Sequence, residues 1–208
     1  MRYICLMNDA NVRLSPEELA LASDAGVMLT KNNVIAKVYE LFGSIAELQQ
    51  QEILAMEKDL ETAIEIAPKI SRGEGYLGLP YVILDYPRYF RPHDVFAIRT
   101  MFWWGNFFSV TLHMKGNYRE HFQEKLIGNY ALVKEMGFHA CIGPDEWEHH
   151  FGDDNYLPVD MIDEDEWLVL YTARDFTKLA LKFPISGFNE MKQDLMVAYK
   201  NIIRLLAR

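Results

Sequence analysis

Four groups of residues have types and spacings that could do chemistry. Asp145-Glu146-Trp147-Glu148-His149-His150, followed by Asp153 and Asp154, gathers carboxylates and imidazoles in one short stretch. On a helix, Glu146/His150 and Asp145/His149 are i,i+4 pairs that share a face. Glu146, His150 and Asp153 are therefore the alternative metal set, which would serve a metal-dependent hydrolase. A competing account needs no metal. Pro144 at the first helical position, acids in the first turn and histidines in the last are what a short helix requires for its own dipole. Neighbouring histidines also diverge by about 100° around a helix. The balance favours no metal and no cofactor.

The second group is Asp85-Tyr86-Pro87-Arg88-Tyr89-Phe90-Arg91-Pro92-His93, where Arg88 and Arg91 alternate with aromatic rings. Guanidinium groups beside rings can hold a planar or anionic ligand. The plainer alternative is a strand-to-strand crossover whose rings pack locally.

The third is a hairpin, Phe96–Trp104 and Phe107–Lys115, joined by Gly105-Asn106. A two-residue connection sets Trp104 opposite Phe107, Trp103 opposite Phe108, Thr100 opposite Thr111 and Ile98 opposite His113. One face then mixes rings (Phe96, Phe102, Trp104, Phe107) with Thr100, Ser109, Thr111 and His113, the usual lining of a ligand pocket. The candidate ligand-binding set is Arg88, Arg91, Thr100, Trp104, Ser109, Thr111 and His113. The same face could instead be core, or the ring-rich tip at 101–110 could join two copies as a homodimer.

The fourth, Gly73-Glu74-Gly75-Tyr76-Leu77-Gly78, matches G-x-G-x-x-G but follows a helix and leads into a strand. A dinucleotide fingerprint needs the reverse order, so the glycines read as a flexible link over 71–80. Counting from Asp153, Pro158 occupies the position where a calcium loop requires glycine. No G-x-S-x-G or P-loop occurs, and Cys141 beside His139 reads as a buried, inert thiol. The catalytic residues are unassigned, and a non-catalytic protein is favoured over an enzyme.

The elements that must position these groups follow from capping and periodicity. Ser15-Pro16-Glu17-Glu18 is a capping box. Helices are expected from Ser15 to about Gly26, from about 30 to Gly43, and from Ser44 to 67, giving a helical lead-in over 15–67. The period then changes to two for strands at 81–86, 96–104 and 107–115. A helix capped at Asn117, a strand at 138–142, a short helix opened by Asp163-x-x-Glu166 and running through Tyr171 (with 167–172 also readable as a strand), a strand at 177–185 and a helix at 188–206 complete the order ααα-βββ-α-β-α-β-α. Such an order indicates an α+β class with a mainly antiparallel sheet of about five strands, the C-terminal helix packed on it, in one domain over 1–208 with its sheet-containing core at 76–208.

Composition bounds the function. The chain has 208 residues, half of them hydrophobic, and a net charge of −9. That acidity disfavours nucleic acid and anionic membranes as partners. The apolar run Tyr3–Met7 is shorter than the roughly 7–15 residues of a signal-peptide core. Two cysteines, Cys5 and Cys141, give no disulfide framework. A soluble cytoplasmic protein is expected, binding a small ligand or a partner through the hairpin face; a structural, homo-oligomeric protein is the alternative. The charge is unevenly placed. Eleven of the thirty acids fall in 135–173, which contains no Lys or Arg, while the other nineteen face twenty-one bases.

Overall fold

The computed structural model describes residues 12–56, 60 and 63–207; Cys5 and the N-terminal apolar run lie outside them. The chain divides into two compact units, Met1–Lys37 and Val38–Arg208. In the first, the capping box forms as the sequence predicts. The Ser15 hydroxyl accepts from the Glu18 amide at 3.1 Å, the Glu18 carboxylate accepts from the Ser15 amide at 2.7 Å, and α1 (Pro16–Ser23) follows.

Helix α2 (Ala25–Glu52) is continuous where the sequence predicts a break at Gly43. Ser44 does not cap a new helix; its hydroxyl donates to the Leu41 carbonyl at 2.8 Å. A mid-helix glycine costs about 1 kcal/mol. Complete burial of Val38, Phe42 and Ile45 on the same helix offsets that cost.

The second unit is α+β. Among its described residues a single sheet of seven strands, not five, runs in the order β1-β2-β3-β4-β7-β5-β6, antiparallel throughout. The strands are β1 (Lys69–Tyr76), β2 (Leu79–Phe90), β3 (Val95–Trp103), β4 (Phe107–Lys115), β5 (His139–Cys141), β6 (Tyr156–Pro158) and β7 (Phe176–Pro184). Helices α3 (Asn117–Gly128), α4 (Tyr130–Glu135), α5 (Glu164–Thr172) and α6 (Met191–Ala207) complete the unit. The 167–172 stretch, readable as helix or strand, is part of a helix because Asp163 and Glu166 form a second reciprocal cap.

The glycine-rich stretch is a strand and not a link. β1 turns into β2 through Leu77 (φ 46°) and Gly78 (φ 79°), a two-residue turn with both residues left-handed, as tight hairpins require. Gly73 is the cross-strand partner of Tyr81, and a Cβ at Gly73 would lie 2.5 Å from the Tyr81 ring. Its missing side chain is the seat of that ring.

The β3–β4 register differs from expectation by one residue. The loop is Trp104-Gly105-Asn106, with Gly105 at φ 73° and the Asn106 amide donating to the Trp103 carbonyl. Trp103 therefore pairs with Phe107, Thr100 with Val110 and Ala97 with His113. A slip of one residue exchanges the faces of one strand against the other. The observed helix-facing set is Phe96, Ile98, Thr100, Phe102, Phe108, Val110, Leu112 and Met114. It packs under Phe42 of α2, Phe122 of α3 and Phe188 before α6, at ring separations of 6.0–6.3 Å. Ala97, Arg99, Met101, Trp103, Phe107, Ser109, Thr111 and His113 share the opposite face.

Candidate functional site

That opposite face is covered by an irregular strap, residues 143–155, in place of the short helix the sequence predicts at 144–150. Three ties fix the strap to the sheet. Glu146 accepts from His113 Nε2 at 2.9 Å and from Lys115 Nζ at 2.6 Å. His149 Nε2 lies 2.9 Å from Arg99 Nη1. Lys178, cross-strand partner of His113, donates from Nζ to the Glu148 carbonyl. A fourth tie comes from β1, where Tyr76 donates its hydroxyl to Glu148 at 2.8 Å and accepts from the His149 and His150 amides at 2.7 and 2.9 Å.

The acidic stretch is thus the lid of a cationic sheet face. Arg99, Lys115, Lys178 and Lys182 belong to that face by register, and the strap supplies carboxylates, carbonyls and rings against it. Lys182 stands over the Phe151 ring at 5.3 Å.

Protonation states follow from burial. The hydrogen bond from His113, then that from Lys115, holds the Glu146 carboxyl down at about 2. Burial lowers His113 despite its acidic partner, so the neutral ring donates from Nε2. Burial, reinforced by the Arg99 and Lys178 cations, keeps His149 well below the usual histidine range. A neutral His149 accepts the Arg99 proton at Nε2. Burial also pulls Lys178 down to about 8 and, with Glu148 alongside, pushes Tyr76 up to about 12.

Between the strap and β1–β3 lies a cavity of about 460 Å³. Ser71, Ile83 and Met101 form its floor, Tyr76 and Tyr81 one end, and Lys69, Asp85, Arg88, Arg99 and Phe90 the other, with Trp147 and His149 from the strap above. Asp85 and Arg99 are cross-strand partners joined by two parallel bonds, Nε to Oδ1 at 2.8 Å and Nη2 to Oδ2 at 3.0 Å. This fork is the strong, orienting form of an ion pair.

Arg88 reaches the cavity because β2 is irregular. Asp85 pairs with Arg99 but Arg88 pairs with Ala97, so two β2 residues, Tyr86 and Pro87, stand where regular pairing has one. The extra residue puts Asp85 and Arg88 on the same face, the re-aiming that a β-bulge accomplishes. Proline inside a run that otherwise reads as a strand is the sequence signal for such a bulge.

The predicted ligand set is divided by the fold. Arg88 lines the cavity. Ser109, Thr111 and His113 lie buried on its face, beneath the strap. Thr100 is buried on the helix face, where its hydroxyl accepts from Gln49 at 3.5 Å. Trp104 sits in the turn with its ring edge-on to Phe102, and Arg91 is exposed in the β2–β3 turn over the Tyr89 ring. The alternative metal trio is not assembled: Glu146 is engaged by His113 and Lys115, His150 lies nearest Glu148 and Asp154, and no cluster of three or more His, Cys, Asp or Glu suited to a metal occurs among the described residues. Cys141 is buried, and burial raises its thiol pKa. Sequence reasoning missed Lys69, Tyr76, Tyr81 and Arg99 as lining residues. Only Arg99 had a visible signal, a charge inside an apolar strand.

Among the described residues no helix is long and apolar enough to cross a membrane. Comparison with protein-family models, with curated proteins and with solved structures gave no match.

Proposed function

We propose that this chain is a small-molecule-binding protein whose ligand occupies the cavity between β1–β3 and the strap. The observation that carries this reading is the combination in one 460 Å³ space of an oriented Asp85–Arg99–His149 group with the rings of Tyr76, Tyr81, Phe90 and Trp147. Its size falls within the roughly 300–1,000 Å³ range of ligand sites, and rings with a few fixed polar groups are their usual lining. The test is thermal-shift screening with small acids, amines and neutral aromatics, run on the intact chain and on Ser71→Trp. The substitution fills the cavity from an edge strand. Stabilisation of the intact chain that disappears in Ser71→Trp supports the reading; equal shifts in both, or none in either, overturn it.

A second reading, self-association, is favoured by one observation. None of the eight residues of α1 is buried, and Leu14, Leu19, Leu21, Val27, Met28 and Leu29 are exposed. Isolated helices below about 12–15 residues are marginal in water, so such a helix gains from a cover. This surface suits a second copy better than the 101–110 hairpin tip does, because Trp103 and Phe108 are buried and Phe107 packs on Phe151. Light scattering of the intact chain and of Leu19→Glu/Leu29→Glu decides it. A dimer that the double variant dissociates is expected; a monomer at every concentration overturns it.

A further inference from the structure

Building on the binding role proposed above, we infer that the ligand is a flat, largely apolar molecule ending in an oxyanion, its head between Lys69 and Arg88 and its body against Tyr76, Tyr81 and Trp147. The strap leaves part of the positive charge of this sheet face uncovered. Three cations of this sheet face have partners: Arg99 has both oxygens of Asp85, Lys115 has Glu146, and the buried Lys178 has the Glu148 carbonyl. Two cations at the cavity do not. Arg88 donates from Nε to the Ala67 carbonyl at 2.9 Å, which orients the guanidinium and leaves its two terminal nitrogens. Lys69 is the cross-strand partner of Asp85, but both Asp85 oxygens already accept from Arg99. Among the described residues neither Lys69 nor Arg88 has a carboxylate partner.

The neutral state of His149 sharpens this asymmetry. Asp85 cancels Arg99 and His149 adds no charge, so the polar end of the cavity holds about two uncompensated positive charges. A bidentate guanidinium surface beside an ammonium matches the planar or tetrahedral oxygens of a carboxylate or a phosphomonoester. The opposite end is built differently. Tyr76 stands edge-on to Tyr81 at 6.4 Å, on the seat that Gly73 leaves, and Ile83 and Met101 floor the space between. Edge-to-face and offset rings are the geometry that accepts a further aromatic plane. A cavity charged at one end and aromatic at the other selects an amphiphile and orients it.

The test uses a matched series on the intact chain: 2-naphthoate, 2-naphthyl phosphate and the neutral 2-naphthamide, titrated by calorimetry. Either anion should bind at least about tenfold more tightly than the amide, tenfold being the worth of a single charge-assisted contact. Whichever anion binds more tightly distinguishes a carboxylate from a phosphate head. Lys69→Met, at an exposed edge-strand position that leaves the fold intact, and Arg88→Gln should each weaken anion binding about tenfold and leave amide binding unchanged. Raising the salt concentration should weaken the anions alone. If the amide binds as well as the anions, or if the amide alone binds, the oxyanion assignment is overturned while the cavity stands as a binding site. If none of the three binds and the wider screen of acids, amines and neutral aromatics is also empty, both fall.

Discussion

His113 Nε2 and Glu146 Oε2 lie 2.9 Å apart across thirty-three positions of sequence, and this bond ties the acidic strap to the centre of the sheet. Its titration gives a pH prediction with a definite sign. Glu146 is held at about 2, below its ordinary 4.5, so its contribution is full above pH 4.5 and is lost as pH falls towards 2. His113 and His149 are lowered from 6.5; their contribution is present above 6.5 and declines as the unfolded chain takes up protons below it. Urea midpoints should therefore decline in two stages on acidification. Glu146→Gln should lose the stage between 4.5 and 2 and keep the histidine stage. A variant retaining both would show that this bond is not the acid-sensitive tie.

Removing one member of the Asp85–Arg99 fork strands a buried charge. Asp85→Asn should cost about 3 kcal/mol, the range for breaking a buried pair. Asp85→Asn/Arg99→Met should recover part of that loss, since both charges are then gone. Chemical denaturation of the two single variants and the double gives the coupling directly. Additive losses would mean that the pair is not coupled.

At Gly73 a methyl group would overlap the Tyr81 ring. Gly73→Ala should destabilise by about 1–3 kcal/mol, as overpacking does, and should weaken 2-naphthoate binding by displacing the ring. The cost should disappear in Gly73→Ala/Tyr81→Ala. If Gly73→Ala instead stabilises the chain, as loss of glycine entropy alone would, Tyr81 does not occupy this seat.

The faces of the hairpin can be tested at Thr100. Thr100→Val leaves the Gln49 amide without its partner and should cost about 1 kcal/mol. Ligand binding should be unchanged, because the side chain lies under the helices. Met101→Trp, one residue further on, should abolish binding by filling the cavity floor. The converse result would restore the two-residue hairpin register.

Much of the fold is legible locally. Reciprocal caps at Ser15 and Asp163, period-two apolar runs in β3, β4 and β7, and the apolar stripe of α6 each depend on neighbours a few residues away. The concentration of acids in 135–173 was equally visible, although its consequence, a lid over a cationic sheet face, was not. Less of the site was legible. Arg88 and the hairpin hydroxyls were recognisable by type, but the partner of each lies on another strand or on the strap.

The sequence by itself determined the α+β class, most of the helices and central strands, and that the sheet is mainly antiparallel, because capping and periodicity are short-range. Tertiary structure alone decided which side of the sheet each residue serves. Alternation states only that neighbours point apart; the pairing of strands and the length of each loop choose the side. One residue more in the β3–β4 loop put Thr100 under the helices and Arg99 opposite it, and one extra residue in β2 brought Arg88 beside Asp85. Gly73 passed as a link because nothing local shows that the Tyr81 ring needs its space. The strap completes the cavity only after the chain has folded back over more than thirty residues, a placement fixed by the ion pair of Glu146 with Lys115 and its hydrogen bond from His113 and not by any local pattern.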